Sequence, residues 1–339
     1  MKAVVVRSLS SPPDLALVEW PGKVVGNDEV KIQVHASSIG FVDRLIMEGQ
    51  YQIEHSPPFV PGGEAAGTIT AVGAAVKDLK VGDRVIGLSL EMGCWAEEVV
   101  MPARLVHPLP NKASFLSAAV MLGNYGTIDY AFRRAGLCPG ETVIVHGAAG
   151  GVGLAAVEMA KKLGATVIAT AGSDERLAAA MEHGADHLVN YRTESLAVRV
   201  KTITGGRGAD VIIDPVNGEI FKQSLKCIAP EGRIVVLGFA GGEFASVATN
   251  ILLVKEVTVI GAVWGGHITR KPEVLRDELG VILRDLAAGL YRPHIHAVYD
   301  FDKVPQAIED IAARKVIGKI ALVSPLGRQG LEEDTTGAI

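Results

Sequence analysis

Cysteine is scarce. The chain has three in 339 residues, at positions 94, 138 and 227. None form a C-x-x-C pair, and an all-cysteine zinc site needs about four thiolates, so neither that site nor a disulfide framework can be built. Such sparing use fits a reducing cytosol. Charge of one sign is lacking too. Against 33 basic side chains stand 38 acidic ones, and the formal net charge of −5 speaks against a dedicated nucleic-acid binder. Long apolar runs are also missing. The opening Met1–Arg7 is too short for a signal h-region, and the most apolar later stretch, Asn250 to Trp264, is broken by Lys255 and Glu256. No membrane span and a soluble cytoplasmic protein are therefore expected. There is no internal repeat.

What is present in quantity is apolar side chain and glycine. With 48% of residues apolar and 21% charged, a large core can be buried and wholesale disorder is excluded. The length points to two domains. Glycine is 39 of 339, which means frequent turns and close backbone approaches.

The residues before about 110 read as β-rich, with alternating runs such as Glu29–His35 divided by Pro12-Pro13, Pro21-Gly22, Pro57-Pro58, Pro61-Gly62-Gly63 and Val81-Gly82-Asp83. Ser114 to Ala135 has helical spacing. An alternating strand–helix series follows: strands at 142–146, 166–170, 187–189, 210–214, 233–237 and 257–263, and helices at 153–163, 175–183, 195–204 and 219–228. Strands made almost wholly of Val and Ile are buried on both faces, the mark of a parallel sheet covered by helices. A doubly wound α/β domain is expected over 123–264. From 265 onward the pattern predicts one long helix near 272–288 and a last strand near 318–323, with a loose polar tail over 325–339.

The sharpest signal is Thr142-Val143-Ile144-Val145-His146-Gly147-Ala148-Ala149-Gly150-Gly151-Val152-Gly153-Leu154. An apolar strand runs into a glycine cluster and then a helix. A dinucleotide site needs this geometry, because the backbone must turn sharply, aim N–H groups at the pyrophosphate and present a helix N-terminus to negative charge. Ala149, Gly150, Gly151, Val152 and Gly153 are the expected cradle. Gly150 would allow close approach of the pyrophosphate, and Gly153 close helix–strand packing. The strict fingerprint has glycine at Ala148, a departure of one methyl.

An NAD site usually carries an acid at the tip of the second strand, about 20 residues on. Here the tip is Thr170-Ala171-Gly172, followed by Ser173-Asp174-Glu175-Arg176. The missing acid, with Ser173 and Arg176 at hand, makes a phosphate pocket available and favours NADPH over NADH. Ser173 could instead cap the next helix, and Asp174 pointing inward would favour NADH.

These segments, with Pro61–Ile69, Val81–Val85, Tyr125-Gly126-Thr127, Asn190-Tyr191-Arg192 and Gly318-Lys319-Ile320, resemble the medium-chain dehydrogenase/reductase superfamily over roughly 1–323. Within it they resemble the zinc-independent NADPH:quinone oxidoreductases, the zeta-crystallin-like group. The resemblance implies an α/β protein: a GroES-like β-rich catalytic domain from both chain ends (1–122 and 265–339) and a doubly wound parallel-sheet Rossmann domain (123–264). It implies a homodimer or homotetramer paired through the Rossmann sheet.

Zinc-dependent relatives have Cys where this chain has Gly40 and His where it has Gly63. Catalytic zinc needs about three protein ligands, so the resemblance implies no metal. Glu64 is read as a turn stabiliser, and His294-Ile295-His296 as a solvent-facing pair. Asp43 and Tyr51 match polar positions of the substrate pocket, while Gly40 and Leu45 make it roomier and more apolar. Tyr51 either donates a hydrogen bond to the acceptor or is an amphipathic surface aromatic. Thr127 would touch the nicotinamide side, Tyr191 the adenosine phosphate, and Lys319 the cofactor. Gly238, Phe239, Val263 and Trp264 lie at carboxyl ends of late strands, where such sheets bind ligands. The expected activity is NADPH-dependent reduction of small quinones or other α,β-unsaturated carbonyls by direct hydride transfer. Alternatives are an enoyl-thioester reductase of the same fold and a non-catalytic NADPH-binding protein.

Overall fold

A computed structural model describes residues 1–325, 327 and 328. The chain divides into two compact units, Met1–Gly123 with the residues from His267 onward, and Asn124–Gly266, just past the expected breaks after Leu122 and Trp264.

The first unit begins with β1 (Lys2–Ser8), β2 (Asp14–Glu19), β3 (Glu29–Ile39), α1 (Phe41–Met47), β4 (Glu64–Val72), β5 (Arg84–Leu88), β6 (Glu98–Pro102), β7 (Val106–Pro108) and the start of α2 (Phe115–Ala135). In β3 the alternation of Val30, Ile32 and Val34 with Lys31 and Gln33 buries one face, as a period of two requires. The partner strands β4 and β6 run antiparallel to it.

The second unit holds β8 (Thr142–Val145), α3 (Gly151–Lys162), β9 (Thr166–Ala171), α4 (Asp174–Glu182), β10 (His187–Asn190), α5 (Leu196–Ile203), β11 (Ala209–Asp214), α6 (Glu219–Cys227), β12 (Ile228–Val236), α7 (Thr249–Lys255), β13 (Thr258–Gly261) and the start of α8 (Trp264–Arg270). Its six strands form one sheet in the order β10-β9-β8-β11-β12-β13, all parallel. Every residue of β11 is buried, because helices cover both faces. Ile144, Ile168, Ile212 and Ile234 form the centre of this core with Phe221 and Leu196. Truncating one of these isoleucines to alanine costs about 2–5 kcal/mol through lost transfer energy and the cavity left behind.

The chain then returns to the first unit with α9 (Leu275–Ala287), β14 (Ile295–Asp300), α10 (Val304–Ala312) and β15 (Lys319–Val323). These complete a sheet ordered β14-β15-β3-β4-β5-β7, with β6 also paired to β3. Its core joins Ile39, Trp95, Phe301, Val304 and Leu322, residues from both ends of the chain.

The structure adds elements that periodicity left out. Helix α1 interrupts the β-rich region, α7 occupies the apolar stretch after Asn250, and α10 and β14 fill the segment after the long helix. Helices α1 and α7 have seven residues each, so their pattern spans too few turns to stand out. Of the tail expected to be loose, Pro325, Gly327 and Arg328 are described, and these three are helical. The Arg328 N–H donates to the Ser324 carbonyl at 3.0 Å and its guanidinium holds Asp300 at 2.6 Å. The remainder of that expectation lies outside the described residues. Among those residues no helix is long and apolar enough to cross a membrane.

Candidate functional site

In the second unit, β8 ends at Val145 and the chain turns through Gly147, whose φ of +57° suits glycine. The Gly150 N–H closes the turn on the Gly147 carbonyl at 3.0 Å, and Gly150 is the N-cap of α3. The three cradle glycines differ in what they permit. A Cβ at Gly153 would overlap the Gly147 carbonyl and the Ala148 backbone, so this glycine lets helix and strand touch. At Gly151 the space is taken by the Asn124 carboxamide. Around Gly150 the nearest atom to a Cβ would be the Gly147 oxygen at 3.5 Å. That side is open, and the free N–H groups of the first turn of α3 lie there. An anion the size of a pyrophosphate fits this arrangement. Ala149 is buried, and Val152 is half-buried on the first turn.

His146, which the sequence did not single out, sits under the cradle and is 1% exposed. The Ser224 hydroxyl donates to the Ile220 carbonyl at 2.8 Å, so it accepts from His146 Nε2, also at 2.8 Å. The Thr170 hydroxyl therefore donates to Nδ1 at 2.8 Å. The ring is neutral, and burial pushes its pKa down to about 4 against the opposing pull of Asp214.

At the tip of β9, Ser173 holds the N-cap position of α4 with extended backbone but makes no side-chain cap hydrogen bond. The capping alternative is thus met in position, with Asp174 and Glu175 in the first turn, but not by a hydrogen bond of the serine side chain. Asp174 is tied to the end of β10: its Oδ1 accepts the Asn190 carboxamide at 2.8 Å. Beside Gly172 stand two side chains from the end of β10, since a Cβ there would lie 3.0 Å from Arg192 Nε and 3.1 Å from the Tyr191 hydroxyl. Arg192 was missed as a site residue, although it lies inside a quoted motif. Only the parallel pairing of β10 with β9 brings it there. Arg176 lies half-buried on the first turn of α4. The tip thus gathers Ser173, Tyr191 and Arg192, with Arg176 following in sequence on α4.

The late-strand residues lie at carboxyl ends as expected but are not alike. Gly238 and Phe239 follow β12, and the Phe239 ring meets Phe244 edge-on at 4.6 Å. Val263 is exposed, whereas Trp264 is buried with its indole laid on Gly126 of α2. Trp264 therefore packs helix on helix rather than facing open space, and Thr127, half-buried, is the next residue after that contact.

In the first unit three strand ends converge. Register pairs Ile320 with Ile39 and Ser37 with Ala65, which brings Lys319, Gly40 and Glu64 to one edge of the sheet. The Lys319 ammonium binds Glu64 Oε1 at 2.8 Å. Glu64 Oε2 is buried without a hydrogen-bond partner. Glu64 is thus more than the turn stabiliser expected of it, and Lys319 is engaged within its own unit. Asp43, on α1, accepts the Gly40 N–H at 2.8 Å. Burial raises its pKa to about 6; the Lys319 charge and the Gly40 N–H oppose this, and the Glu64 charge adds to it. Tyr51 lies half-buried in the bend after α1 and makes no hydrogen bond among the described residues. His296 is exposed, as expected of that pair, whereas His294 is half-buried with its side chain against Gly318.

Gly40 and Gly63 offer no side-chain donor, and the Lys319 stem lies 3.4 Å from where a Gly40 Cβ would be. Among the described residues no group of three or more His, Cys, Asp or Glu is placed to hold a metal ion.

Comparison with known proteins matches residues 26–111 to the alcohol dehydrogenase GroES-like domain and residues 151–278 to the zinc-binding dehydrogenase family. A quinone oxidoreductase-like protein 2 from Rattus norvegicus is 41% identical over 323 residues, 95% of this chain and 91% of the relative. The quinone oxidoreductase of Pseudomonas aeruginosa is 32% identical, covering 95% of this chain and 99% of its own. The crystal structure of Escherichia coli quinone oxidoreductase complexed with NADPH superposes with a TM-score of 0.88 at 30% identity, covering 95% of this chain and 100% of that one.

Proposed function

The chain belongs to the quinone oxidoreductases of the medium-chain dehydrogenase/reductase superfamily, and from that premise we propose that it is an NADPH-dependent reductase of quinones or other α,β-unsaturated carbonyls that works without a metal. The observation that carries this reading is the pair of sites in the second unit. One is the cradle with its open face at Gly150. The other is the β9 tip, where Tyr191 and Arg192 stand against Gly172, Ser173 and Arg176 follow it in sequence, and Asp174 is tied to Asn190. A planar guanidinium suits a 2′-phosphate, and a carboxylate facing the ribose would repel it.

The bound dinucleotide supplies a hydride from its reduced nicotinamide. The chain's own residues do the rest. Gly150 and the first N–H groups of α3 would hold the pyrophosphate, and the β9 tip would hold the 2′-phosphate. Tyr51 donates a hydrogen bond to the acceptor oxygen where charge develops. Glycine at positions 40 and 63 leaves no first shell for catalytic zinc, which supports chemistry without a Lewis acid.

A homodimer or homotetramer is part of the same reading. Strand β13 ends the parallel sheet with an unpaired edge, and Leu253 and Val254 on the adjoining α7 are 78% and 81% exposed. An open edge beside apolar side chains is a surface for a second copy. The three free cysteines support the cytoplasm as the compartment.

The test is steady-state NADPH oxidation with one quinone, one simple enone and one enoyl-CoA, with NADH as control. Quinone- or enone-dependent loss of NADPH is expected. Turnover of the enoyl-CoA alone would make the chain an enoyl-thioester reductase, and no acceptor-dependent loss would make it a binding protein.

A further inference from the structure

The Asp43–Glu64–Lys319 cluster holds two carboxylates and one ammonium in a largely buried place. Lys319 is committed to Glu64 by its 2.8 Å contact. Asp43 has no ammonium of its own: it is held by the Gly40 N–H at 2.8 Å, its own backbone N–H and the field of the ammonium bound to Glu64. Other charges do not relieve it. On its own helix Arg44 is bound to Glu48 at 2.9 Å. The thiol facing Asp43 and Glu64 is Cys94, which burial and those two carboxylates push far upward, so it stays neutral. A cluster short of one positive charge accommodates one proton, and Asp43 is the member with the weaker claim on the lysine. Asp43 is also reachable. It is half-buried on the first turn of α1, directly after the exposed Phe41 and Val42, whose apolar side chains suit a flat ring.

We propose that Asp43 is the proton donor of the reduction, and that Lys319 and Glu64 position it and set its charge balance. This rests on the reductase reading above. One proton with two electrons, a hydride, would come to the acceptor from the reduced dinucleotide. The Asp43 O–H bond breaks and its proton forms the new O–H bond on the acceptor oxygen. The carboxylate left behind takes its next proton from water. The acid form is required, so turnover falls as pH rises through the Asp43 pKa, which burial places near 6.

The experiment is the pH profile of kcat for quinone reduction between about pH 5 and 8, where the group titrates. It compares wild type, Asp43→Asn and Lys319→Met, with dinucleotide affinity measured alongside. Asparagine can still accept the Gly40 N–H, so α1 keeps its start. Asp43→Asn is expected to lower kcat by about a hundredfold or more, to flatten the profile and to leave dinucleotide affinity unchanged. Lys319→Met removes the charge that favours the carboxylate, so the inflection moves to higher pH. Should Asp43→Asn fail to fold, that displacement decides the matter. An unchanged inflection in either variant overturns the proposal. A wild type without quinone-dependent NADPH loss at any pH overturns the reductase reading, and the proposal with it.

Discussion

His146 gives the fold a dependence on acid that can be worked out. The ring is 1% exposed and neutral, bound by Thr170 and Ser224, and its pKa is lowered from 6.5 to about 4. Between those values the unfolded chain binds a proton that the folded chain refuses. Stability therefore rises with pH in this window and is lost as pH falls from 6.5 towards 4. At pH 7 the contribution is intact. By pH 5 the loss is about 2 kcal/mol, and below the folded pKa it levels at about 3 kcal/mol. The assay is urea unfolding at a series of pH values for wild type and His146→Gln. The substitution costs stability at every pH, since it disturbs two buried hydroxyls. The quantity of interest is the slope. Wild type should lose about 2 kcal/mol more than the variant between pH 7 and pH 5. Parallel stability curves would refute the claim that this imidazole is buried neutral.

Other perturbations test the remaining assignments. Arg176→Ala and Arg192→Ala should each raise the KM for NADPH roughly ten- to a hundredfold, about 1.5–3 kcal/mol for a charge-assisted contact, and leave NADH kinetics alone; equal effects on both cofactors would remove the phosphate pocket. Tyr51→Phe should lower kcat for quinone reduction severalfold with NADPH affinity unchanged, and unaltered kcat and KM would return Tyr51 to the surface aromatics. Val254→Glu, on the exposed face of α7, should shift the sedimentation of the native oligomer towards monomer without changing Tm by much, since surface substitutions stay within about 0.5 kcal/mol.

Much of the fold is legible in the chain. Thr142-Val143-Ile144-Val145 and Asp210–Asp214 read as buried parallel strands because Val and Ile dominate both faces, and they lie in strands of the covered sheet. The cradle is legible because its turn, its glycines and its helix start are consecutive. Helix α1 is not, since seven residues offer too few turns for a pattern. Trp264 reads as a ligand contact from its place after a strand, yet packing against Gly126 claims it.

The sequence by itself determined what local order can encode: two kinds of domain, the strand–glycine–helix cradle, and glycine at positions 40 and 63. Tertiary structure decided whatever depends on distant residues meeting. Lys319 reaches Glu64 across 255 residues, Arg192 reaches Gly172 through strand pairing, and His146 is held by Ser224, 78 residues away. Periodicity reports which face of an element is apolar. It carries no information on which element that face will meet, and charges of opposite sign find each other only once sheet register has brought their strands together.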